Sequence, residues 1–136
     1  MNKLGLVAAR GIVTCSAALL VFPHQLAAQS VGVYTAAQAQ QGAKLYAASC
    51  AACHGSKLTG GSAPPLAGSD FMKKWTGQTA DDLAYVLNQM PLTAPGSLKP
   101  NEYLALLTFI LSKNGYRAGN TPLDGSKLKS ITIKAP

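Results

Sequence analysis

Acidic residues are scarce in this chain: Asp and Glu together number 5 against 12 Lys and Arg, which leaves a formal net charge of +7 over 136 residues. Cys and His are scarcer still, at 3 and 2, and there is one Trp. These shortages exclude chemistry. A structural zinc site normally takes four protein ligands, and the chain offers one cluster of three, Cys50, Cys53 and His54, with no second cluster after it. A Ser-His-Asp or Cys-His centre needs an imidazole free of other duties. No P-loop or dinucleotide glycine fingerprint is present, and no βαβ pattern surrounds the Cys pair as it would in a thioredoxin-like redox site. Nor is there a nucleic-acid motif or any interleaving of aromatic with basic residues, so no nucleic-acid partner is expected.

The first stretch is not part of the folded domain. Lys3 and Arg10 make a basic start, residues 11–22 form an apolar run, and Leu26-Ala27-Ala28 supplies small residues for cleavage before Gln29. This pattern reads as a signal peptide over residues 1–28. The apolar run is short for a membrane span, so no stable span is expected after cleavage; the competing reading is a retained N-terminal anchor. Cys15 has Thr14 before it, not a small Gly or Ala, and reads as a passenger in the signal, not a lipid-attachment site. The exported part, residues 29–136, is long enough for one domain with a modest core. It keeps one His and two Cys, and its formal charge falls to +5. That balance suits an acidic protein partner, although a basic surface also simply confers solubility.

What is there is concentrated in Cys50-Ala51-Ala52-Cys53-His54. Two thiols at this spacing can each add across a vinyl group of one haem, and the adjacent imidazole then lies under the iron as an axial ligand. Hence C-x-x-C-H is the attachment signature of haem c. The expected cofactor is one haem, covalent through Cys50 and Cys53, with His54 on the metal. Covalent attachment needs reduced thiols at the outer face of the membrane, which agrees with export and a periplasmic location.

Around the motif the chain resembles the class I c-type cytochromes. The resemblance rests on Gly42-x-x-x-Tyr46-x-x-x-Cys50, on Ala63-Pro64-Pro65-Leu66-Ala67-Gly68, on Met90-Pro91 and on a last amphipathic helix. It is closest to cytochrome subunits or domains that serve quinone-cofactor alcohol or sugar dehydrogenases, through Tyr34-Thr35-x-x-Gln38-Ala39, Pro95-Gly96-Ser97-Leu98 and Asn114-Gly115-Tyr116. It implies an all-α fold of about four helices around the haem, in which the N- and C-terminal helices cross with Gly42 at the contact. It also implies that the carbonyl of Pro64 accepts the second N–H of His54, which would fix the ring's orientation.

Local signals agree. Thr35 with Gln38 makes a capping box for a helix over residues 36–49. Ser69 can cap a short helix carrying Phe71 and Trp75 on one face. A buried Trp75 needs a partner for its indole N–H, and a haem propionate is a candidate. Lys73 and Lys74 are expected on the outer side. Thr79 caps the next helix, where Asp81 and Asp82 suit the dipole and need no catalytic role. Pro91 ends it. Pro100 suits the first position of the last helix, with Lys99 a poor cap before it. Tyr103, Leu106, Leu107, Ile110 and Leu111 supply the helical period, and Asn114-Gly115 the stop. Leu123, Leu128, Ile131 and Ile133 are expected to clip the tail onto the body.

The sixth iron ligand is Met72, Met90, a Lys or water. Met72 lies 18 residues past His54 and Met90 lies 36 past it. A ligand on the opposite haem face needs chain enough to travel round the haem. Met90 has a helix to make that trip, and Met90-Pro91 matches the ligand loop of the resembled family. With both axial positions filled by protein, the iron has no open position, and the expected function is to carry single electrons, without enzyme activity, from a periplasmic dehydrogenase to a terminal oxidase or other acceptor. The rival expectations are a haem enzyme or gas sensor with a displaceable sixth ligand, and a subunit that works only inside a dehydrogenase complex.

Overall fold

The computed structural model describes residues 32–134; the expected leader and its cleavage site lie outside the described residues. The chain runs β1 (Tyr34–Thr35), α1 (Ala36–Ser49), α2 (Ala51–His54), α3 (Ser69–Trp75), α4 (Ala80–Leu87), α5 (Pro100–Lys113) and β2 (Ala118–Gly119), followed by a 3₁₀ helix, Gly125–Ser130. The expectation of an all-α fold needs one small amendment: β1 and β2 pair in parallel, Tyr34 with Ala118 and Thr35 with Gly119. Four helices of seven residues or more and the single turn α2 make up the rest.

Helix α1 begins where the sequence says it should. The Thr35 side chain accepts from the Gln38 N–H and the Gln38 side chain from the Thr35 N–H, which satisfies two of the helix's orphan donors. The helix packs along α5, and Gly42 is the point of closest approach. A Cβ at Gly42 would lie 1.9 Å from the Ala105 carbonyl oxygen and 2.8 Å from Cβ of Phe109. The Tyr46 ring then meets Phe109 with centroids 5.3 Å apart. In α5 every residue from Ala105 to Leu111 is buried, so the helix is the axis of the core and not a one-sided surface helix. Lys99 gives it no side-chain cap; the Lys99 N–H donates to Glu102 Oε2 at 2.8 Å instead, which repairs the poor cap.

Two other starts differ in detail. Ser69 is the first residue of α3 and not its cap; Gly68 is the cap, and its N–H donates to Asn114 Oδ1 at 3.1 Å. Thr79 caps α4 as expected, and Asp82 closes a full capping box with it. The tail does bind the body. Leu123, Leu128 and Ile133 are buried. The Ala80 N–H donates to the Ile131 carbonyl, Gly77 to Ile133, and Ile133 to Gln78, so the tail forms a clasp across the entry to α4.

Candidate functional site

The single turn α2 follows directly on α1, with Cys50 as the joint: its N–H still bonds the Tyr46 carbonyl, while its own carbonyl receives Cys53 and His54. Gly55 ends the turn at φ +79°, where its missing Cβ matters twice. The left-handed backbone suits glycine, and a Cβ would meet the Gly60 carbonyl oxygen at 2.7 Å. Tyr46 donates from its hydroxyl to the Gly55 carbonyl at 2.6 Å and so ties the end of the turn back to the first helix.

Above this turn lies a cleft lined by Cys50, His54, Pro64, Trp75, Val86 and Met90, with Leu106 and Ile110 of α5 as its floor. Its cavity volume is about 120 Å³, smaller than the roughly 300–1,000 Å³ of drug-sized ligand sites, and its lining is almost wholly apolar. Sequence-distant residues that were expected to act together therefore share one wall or another of a single cavity. Cys53 is exposed and is not among the lining residues, and both thiols are free. Met72 is half-buried against the core and lies outside the lining, so of the two candidate methionines Met90 alone faces the cleft. Lys74, expected to point away, lines the cleft and holds its ammonium 5.4 Å from the centre of the Trp75 ring.

The electrostatics of the site favour a haem. His54 Nδ1 is 2.7 Å from the Pro64 carbonyl oxygen. A carbonyl only accepts, so Nδ1 carries the proton and Nε2 keeps a free lone pair for a metal. Burial, and secondarily Cys53, hold the Cys50 thiol above its ordinary value. Trp75 is buried, yet no described residue accepts from its indole N–H, and no fully buried side-chain polar atom among the described residues lacks a partner. That N–H therefore reaches solvent or the cleft, where an anionic group can meet it. The apolar walls, two thiols and a metal-ready imidazole fit a covalent haem better than any ion alone. No group of three or more His, Cys, Asp or Glu among the described residues is placed to hold a bare metal ion.

Three holding residues escaped the sequence reading. Asn114 is buried and donates to the Leu66 and Ile110 carbonyls at 2.9 Å each while accepting from Gly68; it had been assigned only the helix stop. Leu58 is buried at φ +61°, and its carbonyl receives both Leu66 and Ala67, which folds the loop bearing Pro64 back under His54. A left-handed Leu costs on the order of 1–3 kcal/mol, and nothing in its neighbours announces it. Tyr103 was read as core, yet its hydroxyl donates to the Met90 carbonyl at 2.7 Å.

A covalent-haem motif at the mouth of an apolar cleft, in a mostly helical fold closed by its first and last helices, defines a c-type cytochrome. Residues 37–110 match the family model described as cytochrome C oxidase, cbb3-type, subunit III. The match spans more than half of the chain, which therefore belongs to that family. No curated protein and no solved structure gives a significant match.

Proposed function

We propose that the chain is an exported mono-haem carrier of single electrons, with residues 1–28 as the signal peptide and 29–136 as the cytochrome domain in the periplasm. Cys50 and Cys53 hold the haem, His54 and Met90 are the axial ligands, Pro64 orients His54, and Trp75 meets a propionate. The observation that carries this reading is the convergence of Cys50, His54 and Met90 on one apolar cleft, with His54 Nδ1 committed to Pro64. When bound, the haem supplies an iron that changes its charge by one electron; a thioether opposite an imidazole raises its potential. The chain's own residues would surround it with apolar side chains, fix the His54 imidazole through Pro64 and offer His54 and Met90 to the metal, which would leave electron transfer and no substrate site there.

The partners follow from chemistry and resemblance together. The loop patterns resemble cytochromes that accept electrons from quinone-cofactor dehydrogenases, whereas the matched family is described as an oxidase subunit. A carrier between a dehydrogenase and a terminal oxidase accommodates both. No helix among the described residues is long and apolar enough to cross a membrane.

The test is spectroscopic. The purified protein should retain haem through two thioether bonds after denaturation, show a sulfur-to-iron charge-transfer band when ferric, and resist CO when ferrous. Rapid CO binding with no sulfur band would replace the carrier by a haem enzyme or gas sensor. Haem extractable by acid-acetone would remove the attachment itself.

A further inference from the structure

Helix α5 carries one stripe, Tyr103, Leu106 and Ile110, which its C-cap Asn114 continues at the same spacing. The middle pair floors the cleft. The outer pair are the polar ones. Asn114 grips the loop on the His54 side, and Tyr103 grips Met90.

On the Met90 side the segment is anchored at its far end by Leu98, which packs against the core, and by few hydrogen bonds. Residues 92–97 are all exposed. The Met90 N–H bonds the Leu87 carbonyl, Ala94 bonds Pro91, Ser97 bonds Ala94, and Gly96 bonds Asn88. Each of these stays within the segment or returns to the end of α4. From Met90 to Leu98, the Tyr103 hydroxyl is the one hydrogen-bond partner among the described residues that belongs to another part of the core. Tyr103 itself is 5 % exposed and anchored in α5, and it does not line the cleft. It can act on the iron only through the position of Met90.

We propose that Tyr103 is a positioning residue for the sixth ligand: its hydroxyl fixes the Met90 main chain and so sets how readily an outside ligand displaces the thioether. The inference rests on Met90 as the axial ligand. Removing the hydroxyl leaves the Met90 carbonyl without its partner and frees the exposed segment to swing out. The bond's strength is spent on keeping Met90 in place, so its loss favours the displaced state.

The experiment compares the haem-loaded wild type with Tyr103→Phe and, as a control for general loss of packing, Leu123→Ala in the buried tail. Each is titrated with imidazole in the ferric state while the sulfur band is followed, and each is melted by far-UV circular dichroism. Tyr103→Phe should bind imidazole about fivefold more tightly, the factor that a net hydrogen-bond contribution of ~1 kcal/mol gives. Leu123→Ala should melt earlier with its imidazole affinity unchanged. If Tyr103→Phe melts earlier but binds imidazole as the wild type does, Tyr103 is core and positions nothing. Equal tightening in both variants overturns the proposal in the same way. A wild type with no sulfur band sinks it together with the Met90 assignment, whereas a banded wild type beside an unresponsive Tyr103→Phe sinks the positioning role alone.

Discussion

Met90 and Met72 carry the same side chain and have opposite surroundings. Met90 faces the cleft, and Met72 is wedged half-buried against the core. Met90→Ala should therefore abolish the sulfur band, open the site to CO and lower the reduction potential, because a thioether favours the ferrous state. Met72→Ala should keep the band and lose only packing, at less than the ~2–5 kcal/mol of a fully buried Met. Ferric absorption spectra of the two variants decide between them; a band lost in Met72→Ala and kept in Met90→Ala reverses the ligand assignment and leaves the haem motif untouched. His54 allows no such simple deletion. Its partner is a main-chain carbonyl, which survives any side-chain substitution at Pro64. At this scale the sequence speaks wherever chemistry needs a particular residue type, as in the Cys50, Cys53 and His54 motif on which the haem proposal rests. It was opaque where an ordinary residue holds another's backbone. Leu58, Tyr103 and Asn114 look like loop, core and helix stop, because spacing along the chain does not reveal which backbone group a residue will meet.

At the scale of elements, Gly42 decides how closely α1 and α5 pack. The notional Cβ falls against main-chain atoms of Ala105, which cannot rotate away as a flexible side chain would. Gly42→Ala should already lower stability by about 1–3 kcal/mol, and Gly42→Val by more; an unchanged melting temperature in either would mean that the helices do not meet there. The start of α4 gives a second test. Hydrogen bonds from the Thr79 side chain, then from its backbone, hold the Asp82 carboxyl below its ordinary value of 3.8. A lowered folded-state value means that the cap's contribution is present above that pH and is lost as the pH falls through the lower folded value. In an NMR titration Asp82 of Thr79→Ala should move part of the way back toward 3.8, since the backbone N–H at position 79 still donates to it, and α4 should gain less from ionisation of Asp82. Boundaries were legible here because caps are local: Thr35 with Gln38, Pro100, and Asn114 with Gly115 all read correctly. Ser69 misled because Gly68, held by the distant Asn114, took the capping position.

At the scale of the whole molecule, the tail adds burial that the helices alone lack. Leu123, Leu128 and Ile133 are 2 %, 5 % and 0 % exposed, and each such side chain is worth roughly 1.5–3 kcal/mol of apolar transfer. Deleting residues 123–134 should therefore lower the thermal midpoint well beyond the loss from any single surface substitution, and it should expose Ala80 and Leu83 at the base of α4. A melting curve and hydrogen exchange on α4 check this; an unaltered α4 would make the tail an ornament. That the tail binds could be foreseen from its apolar residues. Its route could not, since the bridge between Thr79 and Thr132 and the pairing of β1 with β2 join residues far apart in the chain, and no local pattern encodes such partners.

Those distant pairings also bear on the order in which the molecule assembles. Gly42 waits for Ala105, Tyr34 for Ala118, and Gln38 for Leu123. Contacts of such separation close late, because loop entropy must be met before they reward the chain. A chain emerging N-terminus first carries Cys50 and Cys53 into solution well before α5, which lines the cleft with Cys50, has been made. Cys50 is thus fully accessible during an interval that the topology itself creates, while Cys53 stays exposed after the fold has closed.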